Sequence, residues 1–205
     1  MFLVIEGIEG SGKSTLVASL AERLRGDGRD VVVTREPGGT PVGDAVREIF
    51  LNRKLDISPL AESMLVNAAR AEHVAAVILP ALAKGRVVLC DRFVDSTLAY
   101  QGYGRGVDGV ALREVCDIAA GGIVPDLVFV LDVPVSVARE RMRERSARSD
   151  RIESEDDEFH ERVRKGFLEL ARSARHRLLD GSLPPEQLLE AAWKDVQSHL
   201  QARAS

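Results

Sequence analysis

Five short runs of apolar residues punctuate the chain, and segments with helical periodicity separate them. Within each run the apolar residues follow one another without alternating polar positions, which is typical of strands covered on both faces. Such strands pair in parallel and carry helices on both sides of the sheet. We therefore predict one α/β domain, residues 1–205, around a five-stranded parallel sheet with strands at Phe2–Ile5, Val31–Thr34, Val87–Cys90, Leu127–Val133 and Arg177–Leu179.

The segments between these runs predict helices. The first helix places leucines at positions 16, 20 and 24 and stops near Gly26. A long helix runs from Ser58-Pro59 to about Lys84, because serine caps and proline opens a first turn, and Pro80 predicts a kink in it. Further helices are predicted at Gly43–Leu51, Asp108–Gly121, Ser136–Arg145, Phe159–Arg175 and Pro184–Ala202.

One charged segment fits neither pattern. Residues Ser146–Asp157 lack apolar periodicity and contain several serines, so we predict a mobile lid there. Arginines are frequent just before and inside it. Because a run of charge is usually a solvated face, that interpretation is adopted for five of them, namely Arg139, Arg141, Arg143, Arg145 and Arg148.

A phosphate-binding loop joins the first predicted strand to the first helix. Its pattern is G-x-x-x-x-G-K-[ST], from Gly7 to Ser14, and the strand-to-helix context makes the motif specific. Glycines let backbone N–H groups approach phosphate oxygens, and the helix N-terminus adds its positive dipole end. Lys13 is predicted to reach the β- and γ-phosphates. The expected contacts of the nucleoside triphosphate are Gly7, Ile8, Glu9, Gly10, Ser11, Gly12, Lys13, Ser14 and Thr15.

An aspartate ends the third apolar run, and an arginine follows it. Asp91 matches the second metal-binding feature of phosphate-loop enzymes, so Ser14 and Asp91 are predicted to hold Mg²⁺. A helix cap at a strand exit is the alternative for Asp91 taken alone. Arg92, beside the metal position, is well placed to bind an acceptor phosphate with both arms of its guanidinium.

The second predicted strand ends in Thr34-Arg35-Glu36-Pro37-Gly38-Gly39-Thr40. Pro-Gly-Gly is turn chemistry whatever its function, and alone it would be interpreted as a surface turn. Together with Arg70 and Arg92, however, Arg35 supplies a third guanidinium opposite the triphosphate. Two bound phosphate compounds repel each other, so transfer between them needs fixed positive charge.

Composition excludes several classes of function. The formal net charge of −4 argues against a dedicated nucleic-acid binder, which needs a basic surface. No apolar stretch approaches the 18 residues of a membrane span, and no signal sequence precedes the first strand, so we expect a cytoplasmic protein. Cys90 and Cys116 are interpreted as buried thiols in a reducing compartment. The histidines, at 73, 160, 176 and 199, lack metal-ligand spacing and are interpreted as surface or capping residues.

Several segments together resemble a known family. They are the phosphate loop, the segment from Thr34 to Thr40, Ala69-Arg70-Ala71-Glu72-His73, Asp91-Arg92-Phe93, Ser96-Thr97-Leu98-Ala99-Tyr100-Gln101-Gly102, Pro125-Asp126-Leu127 and Asp150-Arg151-Ile152-Glu153. In this order, over nearly the whole chain, they resemble bacterial thymidylate kinases. The resemblance implies a phosphate-loop nucleoside monophosphate kinase fold, ATP with Mg²⁺ as phosphate donor, thymidine 5′-monophosphate (dTMP) as acceptor, and a homodimer.

The resemblance also implies roles for individual residues. Arg35 and Arg92 would clamp the acceptor phosphate, and Glu9 would accept a hydrogen bond from the 3′-hydroxyl of the sugar. Tyr100 would pack on the sugar, and Arg151 would be a lid arginine that closes on ATP, so the implied catalytic set is Lys13, Arg92 and Arg151. The implied acceptor site also contains Glu36, Val66, Arg70, Ser96, Thr97 and Gln101, with Arg70 donating to a thymine carbonyl.

One position departs from the family pattern. The family commonly has phenylalanine four residues before Arg70, where its ring stacks on thymine, and this chain has Val66. Valine packs against a base but cannot stack on it. The reaction type is unaffected by this change, whereas the loss of the aromatic partner is expected to weaken base binding by about 1 kcal/mol, tenfold or less.

Two alternatives follow from the sequence. The first is a kinase for another nucleoside monophosphate or for a deoxynucleoside, and the latter would need a carboxylate base, for which Glu36 is available. The second is a GTP-dependent switch protein. That class needs an Asn-Lys-x-Asp motif and an Asp-x-x-Gly segment, and the sequence contains neither.

Overall fold

The computed structural model describes residues 1–145 and 150–204. Its five strands all pair in parallel, in the order β2-β3-β1-β4-β5. The five-stranded parallel sheet predicted from the apolar runs is therefore confirmed. The strands are β1 (Phe2–Glu6), β2 (Val31–Arg35), β3 (Val87–Asp91), β4 (Leu127–Asp132) and β5 (His176–Asp180).

Helices connect the strands, and most lie where the periodicity predicts them. The α-helices are α1 (Lys13–Gly26), α2 (Pro41–Leu51), α3 (Pro59–His73), α4 (Leu79–Ala83), α5 (Val94–Thr97), α6 (Gly109–Ala119), α7 (Val135–Arg145), α8 (Asp157–Leu170) and α9 (Pro185–Ala204). Helix α8 ends five residues before the predicted helix end at Arg175, and a turn then leads into β5.

Two helical turns widen to the π-helical pattern. The turn Val74–Ile78 joins α3 to α4 directly before Pro80, where the sequence predicts a kink. Proline has no N–H to donate, so a local change of hydrogen bonding is expected at this point. A second π-helical segment, Leu98–Gly104, continues α5. The sequence predicts no helix over Val94–Gly104, because polar residues interrupt the helical spacing of its apolar residues.

The sheet carries a separate apolar layer on each face. In β1, Phe2 and Val4 belong to one core cluster, and Leu3 and Ile5 belong to the other. Helices α1 and α9 cover the second cluster, which contains Trp193, while α3 and α8 cover the first. This confirms that the strands are covered on both faces, and Cys90 and Cys116 are buried free thiols as predicted.

The continuous helix Pro59–Ala83 is an exception to the expectation about membrane length. By length and composition alone it could cross a membrane, since it has 25 residues and its most apolar 18-residue window has a mean hydropathy of 1.3, but 44% of that window is buried inside the fold. It also carries Glu62, Arg70 and His73, which are buried and bonded to other elements. A helix with these contacts is a core helix of the sheet's first face.

The predicted lid, residues 146–157, is described from Asp150 onward. Residues 146–149, including Arg148, lie outside the described residues. In the described part, Asp150 caps a turn by accepting from the N–H groups of Ile152 and Glu153, and Ile152 is buried in the core. Arg139 binds the Glu153 carbonyl oxygen at 2.6 Å and contacts Asp157 at 2.9 Å. Residues 150–157 are therefore packed against the body of the protein.

Candidate active site

The phosphate loop lies between β1 and α1, at the carboxyl edge of the sheet. Its glycines are required by the backbone: Gly7 has φ 138°, and a Cβ there would lie 2.6 Å from the Leu131 carbonyl oxygen. Gly12, with φ 98°, forms the left-handed N-cap of α1. Larger residues would be strained at both positions. The loop thus leads directly into a helix N-terminus, which favours bound anions.

Lys13 is folded back onto this loop. Its Nζ donates to the Ile8 carbonyl oxygen at 2.7 Å, and the side chain is largely buried. Burial, and next the positive charge of Arg92, lower the pKa of Lys13 to about 8. An anionic ligand between these two cations would reverse the repulsion and raise that pKa. The loop therefore carries a poorly compensated cation at the place where phosphate is expected.

Ser14 and Asp91 form an oxygen-rich corner beside Lys13. The Ser14 hydroxyl donates to Asp91 Oδ2 at 3.2 Å, and Asp91 Oδ1 is buried with no hydrogen-bond partner among the residues that the structure describes. Within residues 1–145 and 150–204, no cluster of three His, Cys, Asp or Glu side chains has metal-binding geometry. Mg²⁺ at phosphates does not need such a cluster, because it takes one or two protein oxygens plus phosphate and water oxygens. The corner fits that requirement.

Arg92 sits at the junction between the phosphate loop and the rest of the cavity. Its Nη1 donates to the Gly7 carbonyl and to Ser96 Oγ, both at 3.0 Å, and its Nη2 donates to Glu9 Oε1 at 2.7 Å. Its backbone is left-handed, with φ 73°, the only such non-glycine residue that the structure describes. Burial opposes its charge, but Tyr100, Glu9 and Asp91 raise the pKa of Arg92 above its usual range. It is a fixed cation.

Glu9 and Tyr100 are two further polar residues at the junction where Arg92 lies. The Tyr100 hydroxyl donates to Glu9 Oε2 at 2.6 Å. Burial opposes the charge of Glu9, yet Arg92 and Lys13 lower its pKa below the usual value. Glu9 is therefore an ionised carboxylate facing the cavity, able to accept a hydrogen bond from a hydroxyl group.

Arg35 and Asp91 are neighbours in the register of β2 and β3, which brings the predicted guanidinium to the same edge as the metal corner. The Arg35 side chain is exposed and pairs with Asp44 at 3.3 Å. Exposed ion pairs of this kind contribute little, so an incoming phosphate can compete for Arg35. The structure thus leaves Arg35 accessible to a ligand.

Glu36 and Arg70, in contrast, are committed to the protein. The Arg70 guanidinium is 2% exposed and donates through Nε to Glu36 Oε2 at 2.8 Å. Its Nη groups donate to the Phe93 carbonyl at 3.0 Å and to the Asn67 and Thr97 side chains at 2.7 and 2.8 Å. The other Glu36 oxygen lies 2.9 Å from His73 Nδ1. Donation from Arg70 to a thymine carbonyl would have to share or replace one of these bonds.

One cavity of about 740 Å³ joins these groups. Its walls include nearly all the predicted site residues, namely Glu9, Gly10, Gly12, Lys13, Ser14, Thr15, Arg35, Glu36, Val66, Arg70, Asp91, Arg92, Ser96, Thr97, Tyr100 and Gln101. Gly7, Ile8 and Ser11 lie behind them in the buried part of the loop. The sequence motifs therefore converge on one site.

Arg151 is the exception among the predicted site residues. Its Nη1 pairs with Glu62 at 2.7 Å, and its Nε donates to the Phe50 carbonyl at 2.8 Å. It lines a neighbouring cavity and not the one that contains Lys13 and Arg92. The cause is electrostatic, because Glu62 is fully buried and a buried carboxylate requires a cation or several donors.

Several polar residues at the site were missed or misjudged from the sequence. Arg141 is not part of a solvated face: its Nη1 donates to the Gly181 carbonyl at 2.8 Å, and it lines the cavity. The prediction that His73 and His160 are surface or capping residues is wrong, since both are buried. Burial lowers the pKa of His160, whose Nδ1 lies 3.8 Å from Glu9.

Glu6 was missed as well. It ends β1 fully buried and accepts hydrogen bonds from the Phe93 N–H at 2.8 Å and from the Ser96 hydroxyl at 2.5 Å. Burial, with a contribution from Asp95, raises the pKa of Glu6 to about 8. A carboxylate at the end of an otherwise apolar strand was the signal available in the sequence. Its contacts support the turn that carries Arg92.

A parallel sheet with a phosphate loop after its first strand, and fixed arginines across the cavity from that loop, defines the class of phosphate-loop nucleoside monophosphate kinases. Comparison with known proteins narrows the class. A sequence model of the family "Thymidylate kinase" matches residues 5–192. The chain belongs to the thymidylate kinase family.

Relatives at high identity cover most of the chain. It is 55% identical over 184 residues to a thymidylate kinase of Pelotomaculum thermopropionicum, covering 88% of this chain and 85% of the relative. It is 49% identical over 197 residues to that of Thermomicrobium roseum, covering 95% and 93%. The crystal structure of thymidylate kinase from Ehrlichia chaffeensis superimposes with a TM-score of 0.76 at 35% identity, covering 96% of this chain and 98% of that one.

Proposed function

We propose that this chain transfers the γ-phosphate of ATP to the 5′-phosphate of dTMP, giving the diphosphate. The observation that carries the proposal is the placement of Arg92. It is a permanently charged guanidinium that lies between the phosphate loop and the half of the cavity lined by Glu9, Ser96 and Tyr100. A cation in that position can contact the transferring group and the acceptor phosphate together. The family and the high identity to thymidylate kinases support the same reaction.

The residues indicate catalysis by alignment and charge. The acceptor phosphate oxygen is already ionised, so no general base is needed. Lys13 and Arg92 would offset the developing negative charge, and Arg35 would hold the acceptor phosphate. Ser14 and Asp91 would hold Mg²⁺, which when bound offsets charge on the β- and γ-phosphates.

Glu9 and Tyr100 are proposed to bind the acceptor sugar. The ionised Glu9 carboxylate would accept from the 3′-hydroxyl, and the Tyr100 ring would pack on the sugar. Ser96, Thr97 and Gln101 would border the base together with Val66 and Arg70. The base would then lie near the apolar groups that Phe50, Leu51 and Val66 contribute to the cavity.

The catalytic role of Arg151 is part of the proposal and requires a movement. Its Nη1 would have to leave Glu62, 2.7 Å away, to reach ATP. We place this movement in the lid, residues 146–157, whose closure would exclude water from the bound triphosphate. We also propose that the chain is a single domain with this one lid, which agrees with its one continuous sheet.

Neither alternative is favoured. A deoxynucleoside kinase needs a free carboxylate base, whereas both oxygens of Glu36 are bound by Arg70 and His73. This sequence lacks the guanine-reading motif that a GTP-dependent switch protein requires. The thymidylate kinase family is consistent with neither.

A coupled assay with ATP and a panel of acceptors tests the function. We expect turnover of dTMP and slower turnover of deoxyuridine monophosphate, because one methyl group is missing from the contact. Thymidine should not react, because Glu9 is assigned to the 3′-hydroxyl and both oxygens of Glu36 are bound by Arg70 and His73. Chelation of Mg²⁺ is expected to abolish the activity, and its addition to restore it. Turnover of thymidine with both monophosphates inert would contradict the proposal.

A homodimer is proposed to form through α2 and α3. Both helices expose large apolar side chains at helical spacing, with Val42 and Ile49 on α2 and Leu60 and Met64 on α3. Met64→Glu should lower the sedimentation coefficient from that of a dimer to that of a monomer, because burying a charge in an apolar interface is unfavourable. The matched control is Glu72→Gln on the same helix, exposed and polar already. A wild type that sediments as one chain would contradict the dimer.

We also propose a cytoplasmic location. The two cysteines are buried and unpaired, which is usual for proteins of a reducing compartment.

A further inference from the structure

Three aromatic rings line the cavity: Phe50, Phe93 and Tyr100. Phe93 is 1% exposed, with its ring 5.1 Å from that of Phe2 and the Arg70 guanidinium 5.3 Å from its centre. Tyr100 is 5% exposed and contacts the guanidinium of Arg92 and the ring of Phe167. Both rings are therefore held among protein groups. Phe50, at 8%, keeps the largest exposed fraction of the three.

The Phe50 ring connects the main cavity, which it lines, with Arg151, which lines the neighbouring cavity. The Arg151 guanidinium lies 5.2 Å from the ring centre, and Arg151 lines only the neighbouring cavity, whereas Phe50 lines the main one. The ring thus contacts a cation and also borders the main cavity. Arg151 Nε also donates to the Phe50 carbonyl oxygen at 2.8 Å, so the same side chain contacts the ring and the backbone of Phe50.

The same wall holds the residues expected around the base. Helix α2, which ends with Phe50 and Leu51, packs against α3, which carries Val66 and Arg70, and all four residues line the cavity. Val66 offers a packing surface without a ring. A planar ligand at this wall therefore has one aromatic partner on α2 and an aliphatic one on α3.

We propose that Phe50 is a specificity-determining residue, on which the pyrimidine base of the acceptor stacks while Val66 packs beside it. This inference rests on the proposed function, since it names a contact for the base of dTMP. Stacking of two aromatic rings strengthens binding by about two- to tenfold beyond the area that they bury.

The test removes the aromatic ring from α2 and then supplies one from α3. Phe50→Leu keeps an apolar side chain and the carbonyl that binds Arg151, and it is expected to raise KM and Kd for dTMP about two- to tenfold while KM for ATP stays the same. In Phe50→Leu combined with Val66→Phe, the ring is supplied from α3, and dTMP affinity should return to within about twofold of the wild type. Calorimetric titration with dTMP and steady-state kinetics measure both effects.

Three outcomes would overturn the inference: an unchanged Kd for dTMP in Phe50→Leu, an equal rise of KM for ATP, or no recovery in the double variant. The equal rise would indicate a general loss of structure at α2. These failures differ from a failure of the proposed function. A wild-type protein that does not phosphorylate dTMP contradicts the function, whereas an active wild type with an unaffected Phe50→Leu variant contradicts only the stacking.

Discussion

Arg92→Lys is expected to lower kcat for dTMP phosphorylation about 10²- to 10³-fold. Lysine keeps the charge, but it cannot reproduce a guanidinium that contacts the Gly7 carbonyl, Glu9, Ser96 and the Tyr100 hydroxyl at once. The backbone penalty of φ 73° applies equally to both residues, so it does not distinguish the variant from the wild type. Steady-state kinetics with ATP and dTMP, together with a thermal melt, measure the effect.

The matched control is Arg172→Lys, the same exchange at a side chain that is 76% exposed. It should change kcat by less than about twofold, because exposed pairs contribute little. If Arg92→Lys retained activity within threefold of the wild type with an unchanged melt, Arg92 would not contact the transferring group. A large loss of Tm would instead assign it to the fold.

Much of the fold could be predicted from the apolar pattern. Strands buried on both faces have continuous apolar runs, so the five strands and their parallel pairing follow from local sequence. The strand order does not, because it depends on which helices cover which face. The helix Val94–Gly104 was not predicted, since Ser96, Thr97 and Gln101 face a polar cavity and interrupt the apolar period. Functional residues therefore obscured the element that carries them.

The candidate site was predictable where one motif fixes the geometry. The phosphate loop, Asp91 and Arg92 lie at the ends of adjacent strands, and their convergence follows from a parallel sheet. Arg151 lies elsewhere because it pairs with Glu62, a residue 89 positions earlier in the chain. The burial of Glu62, Glu6 and His73 depends on which helices pack together. A single sequence gives no signal for such long-range pairings.

Arg70 is the second residue for which a large effect is expected, here on stability. Arg70→Met keeps the length of the side chain but removes the cation that pairs with Glu36, whose side chain is 4% exposed. It also leaves the Phe93 carbonyl and the Asn67 side chain without their donor. Breaking one partner out of a buried ion pair costs about 3–5 kcal/mol in the free energy of unfolding, a fall of about 6–20 °C in Tm for a chain of this size.

The double variant Arg70→Met with Glu36→Gln separates charge from packing. Because no charge is then buried without a partner, urea unfolding should show that part of the loss is recovered. Burial opposes the charge of Arg70, while Glu36 raises its pKa above the usual value, so the Arg70 guanidinium stays charged. If Arg70→Met unfolded at the same urea concentration as the wild type but bound dTMP weakly, the guanidinium would serve the base and not the fold. That result would require one of its protein bonds to be given up whenever the acceptor binds.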